Sequence, residues 1–168
     1  MKKLIVVLPL FIILLCGCGS SKTSILSNKF HEDRLGNVFI FASVNKNDKL
    51  TAKLVSALQE SLRLENIEST VYIKNALDLA TEADIAKIIK ESGATHRINI
   101  ELFSDLVLEG GLDQKRMMNY IINLHNLSQN EWTWSGSLAT NVKLIGSGQL
   151  KKAATVIVDK MKSDNLIY

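Results

Sequence analysis

Hydrophobic positions fall along this chain in three rhythms, and each rhythm predicts a different element. The first is an unbroken apolar run, Leu4 to Leu15, behind Lys2 and Lys3 and ahead of the small or polar residues Gly17, Gly19 and Ser20. That is the three-part pattern of a secretory signal. At about a dozen residues, with Pro9 inside, the run falls short of the ~20 that a permanent spanning helix needs.

The second rhythm is alternation, which predicts strands. Asn37 to Val44 carries Val38, Ile40, Ala42 and Val44 on one face and Phe39 and Phe41 on the other, so this strand is expected in the sheet interior. Ser69 to Lys74 alternates Val71 and Ile73 with Thr70 and Tyr72, and Arg97 to Ser104 places Ile98, Ile100 and Leu102 on one side. After a loop around Gly110-Gly111, the residues Met118, Tyr120, Ile122 and Leu124 share a strand face. The turn Ser128-Gln129-Asn130-Glu131 then reverses the chain into Trp132-Thr133-Trp134, and the three strands from Arg97 onward read as an antiparallel meander.

The third rhythm is helical. Leu50, Leu54, Leu58 and Leu62 recur every four residues behind a capping Asp48. Thr81-Glu82-Ala83-Asp84 forms a capping box ahead of Ile85, Ile88 and Ile89, with a stop at Gly93. After Gly146-Ser147-Gly148, a last helix carries Leu150, Ala154, Ile157, Val158 and Met161 inward. The order β-α-β-α-β-β-β-α predicts an α/β (α+β) domain, a mixed sheet with the helices packed on one face. Residues 19–28, GSSKTSILSN, lack sustained periodicity and read as a short tether, an extra edge strand being the alternative. The expected division is therefore residues 1–17 signal, 18–30 anchor and tether, and 31–168 one domain.

Composition adds constraints. Without residues 1–17 the chain keeps 151 residues, enough for one ordinary core, and its formal charge falls from +3 to about +1. No run of like charges appears, so nothing points to nucleic acid as a partner. Both cysteines lie at the start, Cys16 and Cys18, which leaves the domain no thiol for a disulfide or zinc site.

Those cysteines sit in Leu15-Cys16-Gly17-Cys18, a string that resembles the lipobox of bacterial lipoproteins. The resemblance implies a diacylglyceryl thioether on Cys18, cleavage after Gly17 and acylation of the freed amine, with membrane lipid as partner. Two or three acyl chains hold a protein on a bilayer far more firmly than one. By the same resemblance Gly19, rather than Asp, implies sorting to the outer membrane with the domain facing the periplasm. In a single-membrane bacterium the anchor implies the cell membrane.

Two further strings carry a second resemblance. ESGATHRINIELF and YIINLHNLSQNEWTWSGSL are similar to elements of a superfamily of small envelope domains. It includes the N-terminal domain of the periplasmic translocation protein TolB, the outer-membrane lipoproteins that activate penicillin-binding proteins, and the curli secretion lipoprotein. The element order agrees over about Asn37 to Lys162. The resemblance implies a non-enzymatic adaptor or an assembly or activation factor. The chain lacks the segments that the curli lipoprotein uses to build a pore, and its tether lacks the long Pro-rich reach of the activators.

Candidate chemistry is sparse. His31, His96 and His125 are scattered and read as surface or edge histidines, and His31-Glu32-Asp33 reads as a solvated loop before a weak metal site. There is no GxSxG elbow, and Gly146-Ser147-Gly148 reads as a helix entry. No catalytic set, metal or cofactor is expected. Trp132 and Trp134, two apart, are expected to share a face, either packed on the last helix or presented to a partner. Phe39, Phe41 and Tyr72 complete the expected partner surface, covered by an envelope protein or by a second copy of the chain. A cell-envelope enzyme and a small-ligand carrier with a deep apolar pocket remain the alternatives.

Overall fold

The computed structural model describes residues 23–44, 48–108, 115–143 and 148–168. Cys18 and the lipobox lie outside the described residues, as do Gly110-Gly111, Gly146 and Ser147. Six strands form one mixed sheet: β1 (Thr23–Lys29), β2 (Val38–Val44), β3 (Ser69–Asn75), β4 (His96–Leu108), β5 (Lys115–Asn126) and β6 (Glu131–Lys143). Three helices accompany them: α1 (Lys49–Leu64), α2 (Glu82–Glu91) and α3 (Gly148–Ser163). The spatial order is β1-β6-β5-β4-β2-β3. β2 runs parallel to both β3 and β4, whereas β4, β5, β6 and β1 are antiparallel. The expected α+β class, the interior position of β2 and the meander are all present.

The core lies between the sheet and the pair α1 and α3. Asp48 caps α1 by accepting from the amides of Leu50 and Thr51 at 3.1 and 2.9 Å, and Leu54, Val55, Leu58 and Leu62 turn inward. From α3 come Leu150, Ala153, Ala154, Ile157, Val158 and Met161. Both helices close on Ile40, Ile98, Ile100, Tyr120, Ile122, Leu124, Trp134 and Leu138 of the sheet. Tyr120 is buried, which raises its phenol pKa well above the ordinary value, and its hydroxyl accepts from Thr51 at 3.2 Å.

Two expectations need correction. The segment read as a tether becomes β1 from Thr23 onward, paired with β6 from Thr23↔Thr140 to Lys29↔Trp134. Its apolar pattern is weak because one side chain, Ile25, faces the core; backbone pairing and polar contacts hold the rest. Ser27 donates to Asp164 at 2.6 Å, and the Phe30 amide extends the ladder to the Thr133 carbonyl at 2.9 Å. Thr23–Lys29 therefore belong to the sheet and not to a tether.

The second correction concerns α2, which does not share a face with α1 and α3. The chain steps from β2 outward to β3, then back past β2 to β4. Right-handed crossovers in opposite directions place their helices on opposite faces. Accordingly Ile85 of α2 is buried outside the main core, and Phe39, which points away from that core, is fully buried. The charge of Glu82 in α2 acts on Arg97, whose side chain lies on this reverse face. The helix has its capping box as expected: Thr81 accepts from the Asp84 amide, and Asp84 accepts from the Thr81 amide.

Candidate interaction surface

The reverse face of the sheet is where exposed apolar side chains gather. At the β2–β3 end α2 closes it. Phe41 and Tyr72 stack with centroids 6.2 Å apart, Phe39 and Tyr72 at 6.4 Å, and the Arg97 guanidinium covers Phe41 at 4.5 Å. Burial lowers the Arg97 pKa, with Glu82 acting against the shift. Tyr72 donates to Asp78 at 2.7 Å, a bond that raises the phenol pKa and holds the carboxyl below its ordinary range. Phe39 is thus core, while Phe41 and Tyr72 are half-buried under a cation and a helix.

Across β4, β5, β6 and β1 the same face has no helix among the described residues. Its middle is polar and internally paired: Asn119 donates to Ser104 at 2.7 Å, and Ser135 donates to Asn123 at 2.7 Å. Set around that polar floor are Leu26, 79% exposed, and Phe103, 72% exposed, which with Ile121 and Asn119 border an open hollow of about 600 Å³. Phe103 stands out because β4 bulges between Leu102 and Ser104. Leu106, about half-exposed, follows it on this face toward the strand end, and Val107, also about half-exposed, turns to the opposite face.

A second bulge separates the tryptophans. β6 pairs Leu124 with Trp134 but His125 with Trp132, leaving Thr133 as the extra residue. One inserted residue reverses the alternation. Trp134 is therefore buried in the main core, its indole N–H donating to Asp164 at 2.8 Å, and Gly136 leaves room for the ring where a Cβ would stand 2.4 Å from it. Trp132 emerges on the other side, 49% exposed, tilted against His125 with centroids 4.8 Å apart. Of the five residues expected at a partner surface, the structure withdraws Phe39 and Trp134 into cores, half-covers Phe41 and Tyr72, and presents Trp132. Leu26, Phe103 and Leu106 escaped sequence reasoning. The first lay in an apparent tether, the second on a bulge, and the third beyond the expected end of its strand.

One polar cluster is buried, against the expectation of an edge histidine. His96 is 4% exposed, and its Nε2 lies 3.0 Å from Asp33. Its Nδ1 accepts from the Gly36 amide at 3.2 Å and meets the Thr95 hydroxyl at 2.8 Å, so Nε2 carries the proton that Asp33 accepts. Asn126 donates to both Asp33 oxygens at 3.2 Å. Burial raises the Asp33 pKa, but the bonds from His96, Asn126 and the Arg34 amide outweigh it and hold the carboxyl low. A Cβ at Gly36 would stand 2.4 Å from the Thr95 oxygen, so the close approach requires glycine. With both ring nitrogens occupied, the cluster ties the link between β1 and β2 to the start of β4 and the end of β5. Its neighbours in sequence diverge: Glu32 pairs with Lys29 at 2.9 Å, and His31 approaches Glu131 at 3.8 Å. Among the described residues no three His, Cys, Asp or Glu gather as a metal site, and no helix is long and apolar enough to cross a membrane. A hollow of about 850 Å³ is lined by Gln59, Glu60, Arg63 and Thr70 among others.

No protein-family model matches the chain, and no curated protein sequence matches it. Solved structures do. The PelC dodecamer from Paraburkholderia phytofirmans aligns with TM-scores of 0.55 and 0.54 in two crystal forms, at 12% and 11% identity, over 80% and 81% of this chain and 97% of PelC. Lipoprotein GNA1162 from Neisseria meningitidis aligns at 0.52 with 14% identity, over 76% of this chain and 99% of its own. The fold is thus one that a bacterial lipoprotein uses. TolB from Acinetobacter baumannii aligns at 0.33 with 10% identity, too weak to carry the resemblance read from the two strings.

Proposed function

We propose that this chain is a lipid-anchored lipoprotein of the bacterial cell envelope that acts as a non-enzymatic protein-binding or assembly factor, held through acylated Cys18. The observation that carries the reading is the reverse sheet face, which among the described residues has no helix across four strands and is set with large exposed side chains. Exposed apolar patches of this kind mark surfaces that meet something else. The signal and lipobox pattern supports the anchor, and the fold shared with lipoprotein GNA1162 and PelC supports the compartment. In a two-membrane bacterium the outer membrane is its site. The internally satisfied polar cluster favours binding over catalysis.

Trp132 is the exposed aromatic anchor best placed for a protein partner, since a rigid indole beside His125 supplies contact area at low entropic cost. Because PelC is a dodecamer, a second copy is the first partner to test. Palmitate labelling and mass spectrometry of wild type should show an acylated Cys18 terminus, and Cys18→Ala should abolish both. Sedimentation and cross-linking in membranes should show a complex, with itself or another envelope protein, that Trp132→Ser weakens at unchanged stability. A solely monomeric, uncross-linked wild type removes the binding reading.

A further inference from the structure

We infer that the end of the sheet formed by β4 and β5, where Leu106 and Val107 stand half-exposed on opposite faces with Phe103 and Leu26 behind Leu106 on the reverse face, rests against the lipid bilayer itself. The inference builds on the acylation of Cys18 proposed above. It starts from register. Thr23, Thr140, Met118 and Asp105 lie in one row across β1, β6, β5 and β4. Beyond that row β4 and β5 continue through three more pairs, Leu106↔Met117, Val107↔Arg116 and Leu108↔Lys115, on the side from which the chain enters β1. At ~3.3 Å per residue this overhang is about 10 Å.

The lipid leash is short. Five residue steps separate Cys18 from Thr23, and a fully extended chain gains at most ~3.6 Å per step, about 18 Å in all. Subtracting the overhang leaves about 8 Å, close to the depth of one headgroup layer, which is ~5–8 Å when the hydrocarbon core is ~30 Å of a ~40–45 Å bilayer. The overhang therefore cannot stand clear of the membrane while the domain points its β1 entry toward the lipid. Its surface suits that contact. Leu106 and Val107 are half-exposed, Phe103 and Leu26 more so, Arg116 and Asp105 are joined in an ion pair, and the outermost row carries Lys115 and Lys143, cations suited to anionic headgroups. Apolar and aromatic side chains of this sort settle at the boundary between headgroups and acyl chains. A tilt toward the reverse face brings Phe103 and Leu26 down together, so the acyl anchor and the patch hold one orientation.

The mature protein carries no cysteine besides the acylated one, so single cysteines can be introduced as unique reporters. Acylated full-length mature protein with Leu106→Cys, Val107→Cys or Phe103→Cys, and Gln129→Cys at the opposite end as control, is labelled with an environment-sensitive fluorophore. Each is reconstituted into phosphatidylethanolamine and phosphatidylglycerol vesicles containing shallow nitroxide lipids. The expected result is a blue shift and at least threefold stronger lipid quenching at Leu106, Val107 and Phe103 than at Gln129. Equal quenching at all four positions in protein that floats with the vesicles overturns the seating and leaves the anchor intact. A blue shift without lipid quenching assigns the patch to a second copy and also overturns it. Acylated protein that does not float removes the anchor reading and the seating together.

Discussion

Trp132 and Trp134 are chemically identical and two residues apart, yet one extra residue of strand gives them opposite fates. Trp134→Ala should cost about 3–5 kcal/mol, the range for emptying a buried aromatic site, and Trp132→Ala less than about 1 kcal/mol. Urea denaturation of both variants measures the contrast, and equal losses would mean that the bulge is absent. The bulged Thr133 is fully buried, with a hydroxyl that has no partner among the described residues. Thr133→Val should therefore be neutral or stabilising, because it removes a desolvated group that gains nothing from burial. At Asp33 the carboxyl pKa is held below its ordinary value of 3.8, so its contribution to stability is complete above about pH 4 and is lost as pH falls through the lower folded value. Asp33→Asn should lower Tm at neutral pH and flatten its decline below about pH 4. A variant whose acid limb parallels wild type would show that Asp33 is not the titrating group.

At the level of elements, periodicity was legible wherever one face is clearly apolar. The four-residue leucine repeat of α1 and the capping box of α2 read correctly because each encodes its own local chemistry. β1 read as a tether because an edge strand with one inward apolar residue leaves almost no pattern; what defines it, pairing with β6, is non-local. The two bulges were hidden for the same reason, since a register shift is a property of two strands. The face taken by α2 follows from strand order, which alternation alone does not encode. Hydrogen exchange tests β1 directly: amides across Ser24 to Asn28 that bond to β6 should be protected, whereas a tether exchanges at once. A fragment beginning at His31 should melt lower than one beginning at Ser20, since it uncovers the β6 edge and removes the Ser27 contact to Asp164.

At the scale of the whole molecule, the sheet has two ends with different surfaces. Leu106 and Val107 stand at the end where the chain enters β1, while Trp132 stands beside the β5–β6 turn at the other. Nine steps of β5 separate their rows, from Arg116 to His125, which at ~3.3 Å each is roughly 30 Å. An anchored domain seated on its β4–β5 end therefore lifts Trp132 clear of the lipid, toward whatever occupies the space above. The chain has only two tryptophans, one exposed and one buried, so intrinsic fluorescence reads this arrangement without a label. In Trp134→Phe, emission from Trp132 alone should be red-shifted and open to iodide. It should remain equally open when the acylated protein is bound to zwitterionic phosphatidylcholine vesicles. In Trp132→Phe, the remaining emission should be blue-shifted and quenched several-fold less. Vesicle binding that shields Trp132 from iodide would mean that the domain lies flat on the bilayer, and an end-on geometry could not be kept. Shielding that grows with protein density on the vesicle instead marks Trp132 as the place where copies meet, because lipid contact does not depend on how many neighbours are present.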